Sequence, residues 1–167
     1  MVPRIKKILY ATDLSKNSSY AFLYATDLAK KQDARIVILH AIEPIPTYAD
    51  AYTGMTPEMK KKQEGEAVEE IGRRLNEFCQ RAENQIGPPC VELVTKVLVL
   101  RGHPPEEILN AADKEDCDVI ILGTHGKGFL AHTFLGSVST AVLHRTRKPV
   151  FIIPLPSEET DIDWDHM

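Results

Sequence analysis

The stretch Asp118-Val-Ile-Ile-Leu122, Gly123-Thr-His-Gly126-Lys-Gly-Phe-Leu-Ala-His-Thr-Phe-Leu-Gly136-Ser137, Val138-Ser-Thr-Ala-Val-Leu143 decides the fold. It reads as a short apolar strand, a glycine-rich loop, and a helix that opens directly after a second glycine. Glycine lacks a Cβ, so the backbone there can take positive φ and approach an anion closely. Free amides at a helix N-terminus add hydrogen-bond donors and partial positive charge. The combination can form a phosphate cradle, although glycines after a strand also serve as an ordinary turn. It is neither the Gly-x4-Gly-Lys-Ser/Thr loop nor the Gly-x-Gly-x-x-Gly dinucleotide turn that follows a first strand. Its spacing is Gly123, two residues, Gly126, nine residues, Gly136-Ser137.

Working outward, four further apolar runs, at 8–11, 36–39, 94–100 and 150–153, accompany the one at 119–122. Most are apolar at nearly every position instead of alternating, which is the pattern of strands covered on both faces in a parallel sheet. Helical periodicity fills the intervals. Val68, Ile71, Leu75 and Phe78 recur every three or four residues and predict a helix over 65–81. A capping-rich Ser15-Lys-Asn-Ser-Ser start predicts one over 18–30, with Ala21, Tyr24, Ala25 and Leu28 on one side. Pro104-Pro-Glu-Glu predicts a third over 104–115, and Ser137 begins a fourth that stops before Pro149. Alternating strands and helices imply a single doubly wound α/β domain, Rossmann-like, with a mostly parallel five-stranded sheet and helices on both faces. Ligands of such sheets sit beyond the carboxyl ends of the strands, where the strand order reverses.

The size and charge narrow the function. The 167 residues suit one domain, expected over 1–156. No apolar run approaches the roughly 20 residues that span a bilayer. The opening Met-Val-Pro-Arg-Ile-Lys-Lys runs straight into a strand without the pattern of a signal peptide, so the expected location is the cytoplasm. Residues 157–167 hold five acids and no Lys or Arg, so of the net charge of −4 the remaining chain carries +1. A nearly neutral body argues against nucleic acid as a partner, and the acidic tail reads as disordered. Residues 44–62 (PIPTYADAYTGMTPEMKKK) read as a long loop insertion on the ligand side, either a lid or a solvated excursion. The three cysteines are scattered packing residues, and the six histidines show no metal-ligand spacing.

The glycine spacing resembles the nucleotide-binding signature of the universal stress protein family. Ile8-Leu-Tyr-Ala-Thr-Asp13 resembles that family's first strand, Val37-Ile-Leu-His40-Ala41 its second, Gly102-His-Pro104 its turn into a helix, and Lys148-Pro-Val-Phe-Ile-Ile153 its last strand. The resemblance runs from Ile5 to about Pro154 and implies an adenine nucleotide alpha hydrolase-like fold. It also implies the family's ATP-binding subclass, with ATP or another adenine nucleotide as ligand and Mg2+ arriving with it. Carried over, Gly123, His125, Gly126, Lys127, Gly128, Gly136, Ser137 and Val138 would surround the phosphates. Ala11, Thr12, Asp13, Ala41 and Leu122 would lie near the base and sugar, although the family often carries proline or valine where Ala11 stands. A carboxylate repels phosphates unless a cation intervenes, so Asp13 suits a ligand N–H or O–H, or else a cap on the following helix.

The resemblance further implies a homodimer paired through 150–153. The function it implies is regulation in the stress response, with nucleotide occupancy controlling conformation or partner binding. Two alternatives stand beside it: a slow Mg-dependent ATPase or autophosphorylating protein, using Ser137 or Ser139, and a nucleotide-free dimeric scaffold. No Gly-x-Ser-x-Gly elbow and no base for Ser137 can be read from the sequence.

Overall fold

The computed structural model describes residues 2–44, 46–86, 90–124 and 135–154. Five strands, β1 (Lys7–Ala11), β2 (Arg35–Ile42), β3 (Val94–Arg101), β4 (Val119–Gly123) and β5 (Val150–Ile153), form one sheet in the order β3-β2-β1-β4-β5. Every neighbouring pair is parallel, so the mostly parallel sheet expected from the sequence is parallel throughout. Helix α1 (Lys16–Gln32) links β1 to β2, and α5 (Pro104–Lys114) and α6 (Ser137–Arg145) follow β3 and β4. Between β2 and β3 run α2 (Thr47–Thr53), α3 (Pro57–Ile86) and the short α4 (Cys90–Leu93).

Strand alternation divides the core into two layers. Ile8, Tyr10, Ile36, Ile38, Val119 and Ile121 face α1 and α3, meeting Ala21, Phe22, Ala25, Leu75 and Phe78. Leu9, Ala11, Val37, Leu39, Ile120 and Leu122 face α5 and α6, meeting Ile108, Ala111, Ala112 and Val142. Phe22 bridges the first layer, with its ring centroid 5.0 Å from Tyr10 and 5.1 Å from Phe78. The buried face of α1 is therefore Phe22, Ala25 and Ala29 with Ala21, and Tyr24, grouped on one side with Ala21 and Ala25 in the sequence reading, is 46% exposed.

Two further expectations change. The supposed loop over 44–62 contains α2 and the start of α3. Thr56-Pro57-Glu58 is a helix start: Met59 N–H donates to Thr56 Oγ1 at 3.2 Å, proline occupies the first turn, and an acid follows. Lys60, Lys61, Lys62, Gln63 and Glu64 then continue the helix on propensity, without an apolar stripe to announce it. Strand β3, expected to be covered on both faces, is a sheet edge and is only half-buried. The tail at 157–167, with Trp164, lies outside the described residues.

Candidate functional site

The strand order reverses at β1, whose connection leads to β2 on one side while β4 lies on the other. There the sheet opens. The β1–β4 register ends at Tyr10↔Ile121, and the β1–β2 ladder ends with Thr12 N–H donating to the Leu39 carbonyl at 2.9 Å. Beyond these rungs lies a cleft of about 520 Å3 lined by the ends of β1, β2 and β4 and the starts of α5 and α6.

The turn from β1 into α1 is held by its own polar groups. Thr12 Oγ1 lies 2.8 Å from Ser18 Oγ and accepts from Leu14 N–H at 3.0 Å. Asp13 Oδ1 accepts from Ser15 N–H at 3.0 Å, and Ser15 is the N-cap of α1, accepting from Ser18 N–H at 3.3 Å. Asp13 thus closes the turn ahead of the helix while Ser15 caps it. Leu14 takes φ 66°, a left-handed conformation that costs a β-carbon-bearing residue about 1–2 kcal/mol. Beneath the turn, the buried Tyr10 hydroxyl donates to the Ser18 carbonyl at 2.6 Å, and burial raises its pKa well above the ordinary phenol value.

On the opposite wall, Gly136 is the N-cap of α6 and has no side chain to accept from the first-turn amides. Its own N–H donates to the Thr124 carbonyl at 2.7 Å, and Ser139 Oγ donates to the Gly123 carbonyl at 2.8 Å. Gly136 has φ −69°, and Gly123 is not among the residues with positive φ. At these two positions, then, the glycines do not supply the positive φ expected of the loop. What glycine contributes there is the absence of a side chain.

From β2, Thr12 N–H and Leu39 C=O meet across the β1–β2 seam, so Ala41, two residues beyond Leu39, turns its own N–H and C=O towards the same side. β1 has already left the sheet at that level. His40 Nδ1 lies 2.7 Å from the Thr12 carbonyl oxygen, and because a carbonyl only accepts, Nδ1 carries the proton. Gly102 N–H donates to the Ile42 carbonyl at 3.0 Å and sets the turn into α5, where a Cβ on Gly102 would run into the Glu107 carboxylate.

Of the site residues expected from the sequence, Ala11, Thr12, Asp13, Ala41, Leu122, Gly123, Gly136, Ser137 and Val138 all line this one cleft. His125, Gly126, Lys127 and Gly128 lie outside the described residues. Ser18, His40, Glu43, Pro104, Ile108 and Ser139 also line it. Of these, His40 and Pro104 stand inside stretches picked out for a strand and a turn, whereas the contribution of Ile108 depends on how α5 packs. Among the described residues no group of three or more His, Cys, Asp or Glu is arranged to hold a metal ion. No helix there is long and apolar enough to cross a membrane.

A parallel sheet with helices on both faces and a cleft at its switch point, rimmed by a helix N-terminus, defines a protein of the doubly wound α/β class. The sequence profile of the Universal stress protein family matches residues 4–154, and the chain belongs to that family. It is 29% identical over 164 residues to universal stress protein MJ0577 of Methanocaldococcus jannaschii, covering 89% of this chain and 94% of the relative. A Thermus aquaticus universal stress protein is 32% identical over 148 residues, covering 89% and 98%. The solved structure of MJ0577 superposes with a TM-score of 0.74 at 25% identity, covering 93% of this chain and all of the other. A universal stress protein solved in complex with cAMP gives a TM-score of 0.59 at 23% identity over 90% of this chain and 98% of the other, a likeness of fold.

Proposed function

We propose that the cleft binds an adenine nucleotide, ATP foremost, and that occupancy regulates the conformation or partner choice of a cytoplasmic stress protein. The observation that carries this reading is the convergence, across one gap in the sheet, of the α6 N-terminus on one wall and the Ala41 peptide groups on the other. The first can receive phosphate oxygens. The second offers a donor and an acceptor side by side, the complement of the adenine ring nitrogen and its amino group. Ala11 and Leu122 supply apolar walls for the base, and Asp13 accepts a ligand N–H or O–H. The solved relative in complex with cAMP, itself an adenine nucleotide, supports the same ligand class.

No described group of residues is arranged to hold a metal ion by itself, so in this reading magnesium arrives with the phosphates and keeps most of its water. His125, Gly126, Lys127 and Gly128, which lie outside the described residues, complete the phosphate end in this reading on the strength of the glycine spacing alone. For the autophosphorylation reading, Ser139 is buried with its hydroxyl committed to Gly123, so that chemistry falls to the exposed Ser137. Strand β5 ends the sheet with Phe151 40% exposed, which supports pairing with a second copy through 150–153.

The test is acid extraction of natively purified protein, chromatography of the extract, and calorimetry with Mg-ATP. Co-purified or titratable ATP supports the regulatory reading. ADP accumulating from added ATP, or a phosphorylated Ser137 peptide, moves the function to the enzyme. No nucleotide and no binding heat leave the dimeric scaffold.

A further inference from the structure

The unusual feature of the cleft floor is how the seam between β1 and β2 ends. Thr12 N–H still makes a main-chain rung to Leu39 O, and in a continuing parallel ladder its carbonyl would accept the Ala41 N–H. That rung is replaced. The carbonyl accepts instead from the His40 ring at 2.7 Å, so a side chain spans the distance that a peptide group would otherwise close. Thr12 is 6% exposed, and with this bond every one of its polar groups is engaged: the amide with Leu39, the hydroxyl with Ser18 and Leu14, and the carbonyl with His40.

We propose that His40 is a positioning residue of the nucleotide site. Its Nδ1–H substitutes for the missing rung, satisfies the Thr12 carbonyl, and so keeps the Ala41 N–H and C=O turned into the cleft instead of into the sheet. The role rests on the nucleotide reading given above. Without the ring donor, Thr12 O is left buried and unsatisfied, and the route to satisfying it is closure of β1 onto Ala41, which removes the base-reading edge. Because the ring acts at the base end of the cleft, its loss weakens AMP and ATP by the same factor.

Two variants separate the donor from the ring. His40→Asn keeps an amide N–H the same number of bonds from the backbone as Nδ1, whereas His40→Leu keeps bulk and has no donor. Calorimetry with AMP and with Mg-ATP, beside thermal unfolding of each variant, is expected to show His40→Leu about tenfold weaker for both ligands, with His40→Asn within a few-fold of wild type. Long-range proton–nitrogen NMR on the nucleotide-free wild type is expected to show the Nδ1–H tautomer, a reading that does not depend on any variant folding. A folded His40→Leu that binds like wild type overturns the role, as does equal loss in both variants, loss confined to ATP, or an Nε2–H tautomer. A wild-type protein that binds neither ligand overturns the nucleotide reading itself and this role with it.

Discussion

The two ends of the same sheet solve opposite problems. At the amino ends of the strands Asp118 Oδ2 accepts from the backbone N–H groups of Lys6 and Lys7 at 2.7 and 2.9 Å, and Asp118 N–H returns a bond to Lys7 O at 2.8 Å. Lys7 Nζ and Lys148 Nζ cap the carbonyls of Glu115 and Cys117, each at 2.7 Å. That end is stitched shut, β1 to β4. At the carboxyl ends β1 pulls away from both neighbours, side chains take over from ladder rungs, and a cavity stands where the sheet would have continued. Asp118 and Asp13 are the same residue type at the two ends of this seam, one spent on joining strands and the other facing a cleft. One end is held by cross-strand bonds and the other carries the proposed nucleotide site, so substitutions at the two ends should separate stability from binding.

The largest separation is expected from Gly136→Val. The backbone there, φ −69° and ψ 164°, is open to any L-residue, and its N–H bond to Thr124 O survives the change. The added isopropyl group therefore acts at the mouth of the cleft. Affinity for Mg-ATP should fall about a hundredfold, some 2.7 kcal/mol, while the melting temperature moves by no more than about 2 °C. Calorimetry and thermal unfolding on the same sample check both halves. Unchanged affinity would remove the α6 N-terminus from the phosphate site.

Asp118→Ala is the reciprocal experiment. It removes the acceptor of two backbone donors that water can reach, and should cost about 1 kcal/mol in urea unfolding, with ATP affinity as in wild type. A variant that lost affinity along with stability would mean that the two ends communicate, and the comparison would fail.

Tyr10 lies between the ends, and it responds to pH. Burial raises its phenol pKa above the ordinary 10, so the folded protein holds the proton longer than the unfolded chain does. The contribution is complete below pH 10 and declines as pH rises beyond it. The buried Cys117 thiol, raised from 9.0 to about 11 by desolvation, adds a decline that begins near pH 9. The denaturation midpoint should therefore drop from about pH 9 upward. Tyr10→Phe should cost about 1 kcal/mol at neutral pH and flatten the curve above pH 10. A slope unchanged in that variant would assign the alkaline transition to other groups.

How much of this was legible in the sequence divides along physical lines. The strands announced themselves because residues such as Val119, Ile120 and Ile121 are apolar on both faces, and the glycines, Asp13 and Ser137 mark the cleft because few residue types do what those positions require. The first two turns of α3, residues 57–64, were not legible: Lys60-Lys61-Lys62 has no apolar face, and the Thr56-Pro57 start was obscured by the prolines and glycine before it. Nor was His40's bond to Thr12, since it depends on where two strands separate, which no local pattern records. The exposure of β3 likewise follows from strand order, a property of the whole sheet.

The smallest effect should come from the surface of α3, where Arg73 pairs with Glu70 at 2.8 Å and with Glu77, and Arg74 reaches Glu70 at 3.0 Å. Hydrogen bonds from Arg73 and Arg74 hold the Glu70 carboxyl down at about 2, below its ordinary 4.5. A lowered carboxylate stabilises the fold above the unfolded value, and the contribution disappears as pH falls from about 4.5 towards 2. Yet these side chains stand about half in water, where ion pairs are screened and side-chain entropy offsets the attraction. Glu70→Gln should shift the unfolding midpoint less than Asp118→Ala or Tyr10→Phe, and molar salt should erase the shift. An ordered bidentate arrangement on a helix surface would then count for less than two backbone donors received by Asp118 at the closed end. If Glu70→Gln proved as costly as Asp118→Ala, the seam would lose its special standing and stability would have to be sought along α3.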